Sequence, residues 1–259
     1  MSFIEKLFGL KNKTAVIIGG SGVLGSAMAK GVANAGANVA ILGRDLEKAE
    51  NIADLIAKRM GVKTVALKVD ASQKNTLVEA KRVINYKLGE VDILINAPGM
   101  TSKTPFFEIT ENEWDEIMDV NLKSTLFGCQ VFGEEMCKRK EGSIINVSSV
   151  ASGSPLSKVF AYNASKAAIN SLTKTLAIEW APDNVRVNAI VPGFFPAEQN
   201  KKVLTKERIA SIMNHTPMNR FGNPEELVSA IIWLASSKAS SFVTGSIVTV
   251  DGGFTAMTI

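Results

Sequence analysis

The sequence lacks the features that mark membrane proteins and secreted proteins. It has 259 residues, of which two are cysteine, two are tyrosine and one is histidine. No apolar run reaches the roughly 18 residues that a membrane span needs. The first residues, MSFIEKLFGLKNK, contain neither an uninterrupted apolar core nor a small-residue cleavage site, so we expect no signal peptide. We therefore expect a cytoplasmic protein that does not enter a membrane.

The two cysteines do not indicate a disulfide. Cys129 and Cys137 are separated by two turns of a predicted helix, which is too far for a bridge. We interpret both as reduced, buried small hydrophobic residues of a cytosolic protein. We predict no metal site.

The basic residues are few and scattered. The formal net charge is +4 and the pI is about 9.0, but no basic run is longer than KRK at residues 138–140. This pattern argues against a nucleic-acid partner. An anionic cofactor or substrate accounts for a mild positive excess equally well.

Short runs rich in valine and isoleucine alternate with longer helical patterns. The runs are apolar throughout, which is typical of strands buried on both faces of a parallel sheet. We therefore predict one α/β domain over residues 1–259, a doubly wound sheet of about seven parallel strands with helices on both faces. Ligands of such sheets bind beyond the carboxyl ends of the strands. The predicted strands begin at Thr14, Asn38, Thr64, Val91, Ser143, Val185 and Ser246.

A glycine-rich turn separates the first strand from the next helix, in the stretch AVIIGGSGVLGSAMAK. It fits G-x-G-x-x-G from Gly20 to Gly25. It also fits a wider spacing from Gly19 to Gly25, with Val23 where a further glycine is expected. Such a turn brings backbone N–H groups and a helix amino terminus against a pyrophosphate, so it predicts a dinucleotide site. The alternative is a tight turn whose glycines only supply positive φ.

The end of the second strand bears on the choice of dinucleotide. The position expected to carry an acid for the ribose 2′-hydroxyl of NAD is Gly43, and glycine leaves room for the 2′-phosphate of NADP. Arg44 could bind that phosphate with its planar fork. Asp45 could instead serve NAD, or could cap the next helix, and we prefer the cap. We favour NADP(H), with NAD(H) as the alternative.

A tyrosine and a lysine in the stretch YNASK form a candidate catalytic pair. Tyr162 and Lys166 are four residues apart, on one face of a predicted helix. A lysine ammonium stabilises a nearby phenolate and lowers its pKa, which makes tyrosine a better acid–base group. Ser149 ends a predicted strand, where its hydroxyl could hold a substrate oxygen. Taken alone, a tyrosine and a lysine four residues apart are more often a packed ring beside a surface lysine.

Eight motifs follow one another in order along the chain. They are the glycine turn Gly19–Gly25, VDA with Asp70, NAPG from Asn96, DVNLKS with Asn121, VSSV with Ser149, YNASK with Tyr162 and Lys166, VNAIVPG to Gly193, and VTGSIVTVDGG from Val243. Over essentially its whole length the chain resembles the short-chain dehydrogenase/reductase family. That family agrees with the doubly wound (Rossmann) domain predicted above.

The resemblance implies a catalytic tetrad. Tyr162 would be the general acid/base, and Lys166 would lower its pKa and bind the nicotinamide ribose. Ser149 would orient the carbonyl or alcohol oxygen. Asn121 would hold a water in a proton relay through Lys166.

The resemblance also implies how the cofactor is bound. It favours the wider glycine spacing, with Val23 at a position where the family usually has glycine. Asp70 would contact the adenine amino group, and the backbone of Asn96–Gly99 would border the adenosine ribose. The backbone after Gly193 would meet the nicotinamide carboxamide. Two residues depart from the family pattern, Pro98 for a small residue and Ala197 for a threonine. With Arg44 included, the predicted cofactor-binding residues are Gly19, Ser21, Val23, Leu24, Gly25, Arg44, Asp70, Ala71, Asn96, Ala97, Pro98, Gly99, Tyr162, Lys166, Pro192, Gly193 and Phe195.

In the family, the segment from Phe194 to Gly222 forms a mobile substrate lid. Its stretches PGFFPAEQN and HTPMNRFG resemble the branch that includes fructuronate reductases (D-mannonate oxidoreductases) and gluconate 5-dehydrogenases. The stretch MTSKTPFF after the fourth strand departs from the fructuronate branch. A polyhydroxy acid needs hydrogen-bond partners and a cation for its carboxylate. The candidates are Gln199, Asn200, Lys103, Lys158 and His215, whereas Lys201, Lys202 and Arg208 are interpreted as a solvated helix face.

We expect an oxidoreductase that passes hydride between NADP(H) and a secondary alcohol/ketone pair. The substrate would be a small molecule, a sugar acid or polyol such as fructuronate/mannonate or 5-ketogluconate. One alternative is a 3-oxoacyl-carrier-protein reductase with a basic surface for its acidic carrier. Another is a non-catalytic nucleotide sensor or scaffold, which predicts damage in the tetrad. We also expect a homo-oligomer, because the helices at residues 114–138 and 162–180 have apolar faces beyond what the sheet needs. The family usually pairs these helices in a homotetramer, so the resemblance implies a tetramer.

Overall fold

Seven parallel strands form one sheet in the computed structural model, which describes residues 2–196 and 205–257. Every neighbouring pair of strands is parallel, and the order across the sheet is β3-β2-β1-β4-β5-β6-β7. The strands are β1 (Thr14–Ile18), β2 (Asn38–Gly43), β3 (Thr64–Lys68), β4 (Ile93–Asn96), β5 (Gly142–Val147), β6 (Val185–Pro192) and β7 (Ile247–Val250). The predicted doubly wound sheet of a single α/β domain is confirmed.

Helices cover both faces of the sheet, as the crossover connections of a parallel sheet require. The α-helices are α1 (Phe3–Phe8), α2 (Val23–Asn34), α3 (Leu46–Met60), α4 (Lys74–Leu88), α5 (Glu111–Met118), α6 (Ser124–Arg139), α7 (Phe160–Trp180), α8 (Lys206–Asn214) and α9 (Val228–Ala235). A π-helical turn, Asp119–Lys123, joins α5 to α6. Short 3₁₀ turns lie at Phe106–Glu108, Val150–Ser152, Ala181–Asp183, Pro224–Leu227 and Phe254–Ala256.

The sheet separates two apolar cores because successive residues of a strand point to opposite faces. In β1, Ile17 packs with Met28 of α2 and Leu234 of α9, whereas Val16 and Ile18 belong to the opposite core. That second core is formed with α4, α6 and α7. Strands β1, β4 and β6 are buried at every residue, which is why apolar residues predominate on both of their faces. Their polar residues, Thr14, Asn96, Arg186 and Asn188, are buried as well.

Asp45 is the amino-terminal cap of α3. Its carboxylate accepts the Lys48 backbone N–H at 3.1 Å and pairs with the Lys48 ammonium at 2.9 Å. These hydrogen bonds hold the pKa of Asp45 below its ordinary value, the side-chain bond from Lys48 contributing most. The position of Asp45 agrees with the preferred interpretation of this residue as a cap.

Both cysteines are free, but only one is buried. Cys129 is fully enclosed in α6, and burial raises the pKa of its thiol to about 12. Cys137 is half-buried, contrary to prediction, because it lies in the last turn of α6 near the surface. None of the helices formed by residues 2–196 and 205–257 is long and apolar enough to cross a membrane.

Candidate active site

The predicted site residues follow the carboxyl ends of neighbouring strands. Gly19 follows β1, Gly43 ends β2, Asn96 ends β4 and Ser149 comes shortly after β5. Because the strands are parallel, these positions share one edge of the sheet, the edge where doubly wound proteins bind ligands. We call it the carboxyl edge.

Close backbone packing constrains three glycines of the turn, and a Cβ on one of them, Gly20, would lie 2.9 Å from the carbonyl oxygen of Ile17. Gly19 has a φ of +76°, and a Cβ there would lie 2.7 Å from the carbonyl oxygen of Ala97. A Cβ on Gly25 would overlap the carbonyl oxygen of Gly19. At Gly22 the nearest atom would be 3.3 Å away, so this position has more room. The packing therefore supports the wider spacing, from Gly19 to Gly25, over G-x-G-x-x-G.

The amino terminus of α2 presents unpaired backbone donors. Gly22 is its cap residue and forms no side-chain cap, and Val23 is its first residue. Within the described part of the chain, the N–H groups of Val23, Leu24 and Gly25 have no acceptor, as is usual in a first turn. Val23 stands where a glycine was expected, but it still offers its backbone N–H, and the residue is 45% exposed. The first turn therefore offers an anion-binding terminus that is suited to a pyrophosphate.

A cleft of about 350 Å³ continues from the turn across the ends of β2 and β3. Eight predicted cofactor-binding residues line it, namely Gly19, Ser21, Arg44, Asp70, Ala71, Ala97, Pro98 and Gly99. Gly43, the position weighed for the ribose, lines it too. Lys48, Val120 and Ser124 line it too and were missed by the sequence analysis. The motif DVNLKS, which contains two of them, was the available signal.

The end of β2 is tightly packed against the glycine turn. A Cβ on Gly43 would overlap the hydroxyl oxygen of Ser21. Arg44 is exposed at the rim of the cleft, and Asp45 is turned into its cap and its ion pair with Lys48. Two cations and the Ser21 hydroxyl therefore lie where the ribose of a dinucleotide is expected.

Asn96 takes a structural position with its side chain. Its amide nitrogen donates to the Asn146 side-chain oxygen at 2.8 Å, and Asn146 donates to the Thr173 hydroxyl at 2.9 Å. All three residues are fully buried. Only the backbone of Asn96 can therefore border a cofactor, as the resemblance implies.

The residues at the end of β6 lie apart from this cleft. Pro192 ends the strand, and the Gly193 N–H donates to the Val250 carbonyl at 2.9 Å. The ring of Phe195 packs over Gly222 and the core on one face of the sheet. These positions stay predictions for the nicotinamide end of the site.

Lys166 is buried rather than on the surface. Only 2% of the residue is exposed. Its ammonium donates to the Val147 carbonyl at 2.9 Å and to the Pro98 carbonyl at 3.4 Å, and lies 5.7 Å from the centroid of the Tyr162 ring. Burial lowers its pKa to about 8. The interpretation of the pair as a packed ring beside a surface lysine is therefore wrong.

Burial and the Ser149 side chain act in opposite directions on the acidity of Tyr162. Burial raises the pKa of the Tyr162 hydroxyl, and a hydrogen bond with the Ser149 side chain acts in the opposite direction. The Ser149 hydroxyl also accepts the Ala151 N–H at 3.2 Å. The structure therefore gives Tyr162 a raised pKa, whereas the resemblance implies that Lys166 lowers the pKa of this tyrosine. Tyr162 is therefore protonated at neutral pH, the form that donates a proton.

Asn121 lies in the π-helical turn between α5 and α6, a feature that is frequent at functional sites. Its side chain accepts the Met100 N–H at 2.7 Å and donates to the Met100 carbonyl and the Ser165 hydroxyl, both at 2.9 Å. The amide thus fastens the loop after β4 to α7. A water held by Asn121, as the resemblance implies, would have to bind its backbone.

The substrate candidates are dispersed. Lys103 and Lys158 are exposed, and His215 packs edge-to-face on Phe254 with ring centroids 4.6 Å apart. Arg208, expected on a solvated helix face, is half-buried and lines a cavity with His215. Two candidates, Gln199 and Asn200, lie outside the described residues. So do Lys201 and Lys202, which were expected on the solvated helix face, and the departure at Ala197.

The depressed pKa of Lys166 predicts a pH-dependent contribution to stability. An unfolded lysine has a pKa of 10.5, so between about pH 8 and 10.5 the unfolded chain binds more protons than the folded one. The free energy of unfolding of the wild type should therefore rise relative to Lys166→Met as the pH increases through this window. The slope should not exceed about 1.4 kcal/mol per pH unit.

Urea denaturation at pH 7.5 and 9.5 measures this difference. Lys174→Met is the matched control, since Lys174 is exposed on the same helix. The control should follow the wild type at both pH values. Equal pH dependence in the wild type and Lys166→Met would show that Lys166 has an ordinary pKa.

Comparison with known proteins was consistent in sequence and in structure. Residues 21–255 match the family model described as enoyl-(acyl carrier protein) reductase. An uncharacterised oxidoreductase of Bacillus subtilis, UxuB, is 40% identical, covering 95% of this chain and 96% of its own. A gluconate 5-dehydrogenase of Burkholderia cenocepacia, solved with NADP and tartrate, superposes with a TM-score of 0.93 at 31% identity, covering 98% and 99%. A Haemophilus influenzae structure with bound NAD, assigned as a D-mannonate oxidoreductase, gives 0.91 at 34%, covering 98% and 99%.

Proposed function

Since this chain belongs to the short-chain dehydrogenase/reductase family of oxidoreductases, we propose that it transfers hydride between NADP(H) and a secondary alcohol/ketone pair of a sugar acid. The observation that carries the proposal is the buried Lys166, whose ammonium lies 5.7 Å from the centroid of the Tyr162 ring, with Ser149 and the glycine turn at the same edge of the sheet. The relatives with gluconate and mannonate in their names support the substrate class.

The described residues fit a nicotinamide dinucleotide. Unpaired N–H groups at the start of α2 suit the pyrophosphate, and the cleft beside Arg44 and Asp70 suits the adenosine. A bound nicotinamide would supply or accept the hydride. Lys166 is placed to donate hydrogen bonds at the inner end of the site, where Pro98 and Val147 already accept them.

In the reducing direction the chain's own groups handle the substrate oxygen. The Ser149 hydroxyl would donate a hydrogen bond to the carbonyl oxygen and orient it. Tyr162 would donate its phenolic proton to the same oxygen as hydride reaches the carbon. The Lys166 ammonium would stabilise the phenolate that remains, because an opposite charge nearby favours the ionised form. Oxidation is the reverse and needs the phenolate, so its rate should rise with pH.

The preference for NADP(H) rests on the end of β2. An acid at position 43 is absent, Arg44 and Lys48 supply positive charge, and Asp45 is engaged as a helix cap. Phosphate monoesters carry more negative charge than a hydroxyl, so this end of the cleft favours them.

Arg44→Ala should weaken NADPH binding by at least tenfold, about 1.4 kcal/mol, and leave NADH binding within twofold. The reason is that only NADPH carries the 2′-phosphate that the guanidinium would contact. Nicotinamide fluorescence titrations with both cofactors measure the two affinities. Arg59→Ala, an exposed arginine in the last turn of α3, is the matched control. Tighter binding of NADH than NADPH by the wild type would assign the ribose to Asp45 and contradict the preference.

The substrate class is tested by NADPH oxidation with 5-ketogluconate and fructuronate. A 3-oxoacyl thioester serves as the comparison, since the carrier-protein reductase alternative relies on the same tetrad. A higher kcat/KM for either sugar acid supports the proposal, and a higher value for the thioester overturns it. Binding of cofactor without turnover of any carbonyl would reopen the sensor or scaffold alternative.

We also propose a cytoplasmic homo-oligomer, a tetramer, with residues 194–222 as a substrate lid. Strand β7 is half-exposed, and Phe242 and Ile178 are exposed large apolar side chains, which supports a further protein contact. The free thiols of Cys129 and Cys137 suit a reducing compartment. Light scattering at micromolar concentration would overturn the oligomer if the mass were that of one chain.

A further inference from the structure

A cationic cavity lies at the amino ends of the strands, the edge of the sheet opposite to the tetrad. Its volume is about 450 Å³, and none of the predicted site residues lines it. We call it the basal cavity. Residues next to the starts of β1, β4, β5 and β6 and residues after α9 form its walls. Its charged lining residues are Lys11, Lys13, Arg139, Lys140, Arg186 and Lys238, with Asp92 and Glu141.

Cationic residues that are far apart in the sequence lie close together in the basal cavity. Six cationic and two carboxylate side chains line the basal cavity, an excess as large as the formal net charge of +4 of the whole chain. Elsewhere acids and bases are therefore in balance. A local excess of one sign in a cleft raises the local concentration of ions of the opposite sign.

Two buried guanidinium nitrogens of arginines that line this cavity have no acceptor among the described residues. Among the described residues, five buried side-chain nitrogen or oxygen atoms have no hydrogen-bond partner, and three of them are amide oxygens. The other two are guanidinium nitrogens, Nε of Arg139 and Nη2 of Arg186, and both arginines line the basal cavity. Arg186 is only 6% exposed. A buried donor left unpaired costs about 1–3 kcal/mol, and more when it is charged.

The nearby carboxylates do not supply the missing acceptors. Asp92 and Glu141 pair with Lys13, at 3.1 and 2.6 Å. Arg139 pairs through Nη1 with Glu90 at 3.2 Å and with Asp92 at 3.8 Å, which leaves its Nε without an acceptor among the described residues. Arg186 donates through Nη1 to the uncharged Ser240 hydroxyl at 2.9 Å. Within residues 2–196 and 205–257, no carboxylate lies at ion-pair distance from Arg186.

Helix ends account for part of the positive charge, but not for the unpaired donors. Helices α6 and α9 end at this edge, and the partial negative charge of a helix carboxyl terminus attracts cations. Arg139 is in the last turn of α6, yet its Nη2 donates to the Val91 carbonyl rather than to that helix. Burial lowers the pKa of Arg186 to about 10, so the group stays charged at neutral pH.

We propose that the basal cavity binds a phosphate group, either inorganic phosphate or a small phosphomonoester. Arginine presents several donors in a fixed plane that matches the oxygens of phosphate. A ligand that complements this cavity must carry negative charge and hydrogen-bond acceptors, and phosphate has both because several oxygens surround one phosphorus atom. The hydroxyls of Ser237 and Ser241 also line the cavity and add neutral donors. A monocarboxylate has fewer oxygens to serve two guanidinium groups.

The site is independent of the proposed catalytic chemistry. Arg186 is the second residue of β6, and Pro192 is the last, so at ~3.3 Å per residue the two edges are separated by about 20 Å. A phosphate in the basal cavity would neutralise buried charge without contacting a dinucleotide at the carboxyl edge. Its binding is therefore expected to add to stability.

Isothermal titration with inorganic phosphate, at ionic strength held constant by chloride, tests the proposal. Arg139→Gln should weaken binding at least tenfold, since the glutamine keeps a polar side chain but loses the charge and the unpaired Nε. Lys238→Ala should weaken it as well, and Lys238 is exposed, so this variant should fold normally. Arg186 is avoided because its bond to Ser240 is part of the buried structure.

Two controls distinguish the basal cavity from other cationic sites. Arg44→Ala removes a cation at the carboxyl edge, and Lys58→Ala removes an exposed lysine on α3; both should bind phosphate as the wild type does. Loss of binding in Arg44→Ala would place the phosphate in the cofactor cleft and overturn the proposal. Absence of saturable binding, or unchanged binding in both Arg139→Gln and Lys238→Ala, would overturn it too.

A parallel titration with glycerol phosphate distinguishes the two sources. Tighter binding of the ester than of inorganic phosphate assigns the cavity to a phosphorylated metabolite. Equal or weaker binding assigns it to free phosphate. Either result supports the proposal as long as Arg139→Gln weakens the affinity for the same ligand.

Discussion

Tyr162→Phe is expected to lower kcat by about 10²- to 10⁴-fold, the usual contribution of a positioned general acid. The substitution removes only the hydroxyl that is hydrogen-bonded to Ser149 and leaves the ring beside Lys166. The affinity for the dinucleotide should therefore stay within twofold of the wild type. Steady-state kinetics with the best carbonyl substrate measure the first effect, and nicotinamide fluorescence measures the second.

The chain provides a matched control for this substitution. It contains only two tyrosines, and the second, Tyr86, is 90% exposed on α4. Tyr86→Phe should have the kcat of the wild type. If Tyr162→Phe kept more than about a tenth of the activity, a loss below 1.4 kcal/mol, Tyr162 would not be the proton donor.

Gly25→Ala is expected to abolish tight cofactor binding and to reduce stability. The added Cβ would overlap the Gly19 carbonyl oxygen, which is backbone and cannot move aside as a side chain does. Overpacking of this kind costs about 1–3 kcal/mol of the free energy of unfolding. The displaced turn would also misplace the N–H groups at the start of α2, and we expect the affinity for NADPH to fall at least tenfold, about 1.4 kcal/mol.

Gly22→Ala is the control for the glycine turn. It has a φ of −77°, which alanine adopts, and the nearest atom to its Cβ would be 3.3 Å away. Its free energy of unfolding should stay within about 0.5 kcal/mol of the wild type. Denaturant unfolding and nicotinamide fluorescence are measured for both variants. Equal NADPH affinity in Gly25→Ala and the wild type would show that the spacing from Gly19 to Gly25 is not required.

The strands and helix caps could be predicted because their causes are local. A strand buried on both faces is mainly apolar, so the continuous apolar run that became β1 predicted a buried strand. The run that became β6 predicted one too, although it contains Arg186 and Asn188. Asp45 precedes a helical pattern, and capping depends on a hydrogen bond three residues away. The four residues of the proposed tetrad were predicted from the order of the family motifs, and they lie at the carboxyl edge of the sheet.

The burial of Lys166 could not be predicted from its residue type. Lysine is almost never fully buried, and the carbonyl groups that accept its hydrogen bonds belong to β5 and to the loop after β4. The same holds for the π-helical turn at Asn121, because no periodicity in DVNLKS distinguishes five residues of π-helix from α-helix. Cys137 was misjudged because apolar neighbours in sequence do not reveal that a last turn reaches the surface.

The basal cavity shows why net charge is a weak guide to a site. Arg139 and Arg186 are far apart in sequence, and only the crossover topology brings the starts of β1, β5 and β6 to one edge. No motif connects them. Counting charge along the chain suggested dispersal, because neighbours in the fold are not neighbours in the sequence.

The close approach of Ser21 to Gly43 makes cofactor specificity epistatic. An aspartate introduced at position 43 would require the Ser21 hydroxyl to rotate away and would place a carboxylate next to Arg44 in the sequence. Shortening Ser21 to glycine removes the need for this rotation. The effects of substitutions at positions 21 and 43 on cofactor affinity are therefore expected to be non-additive.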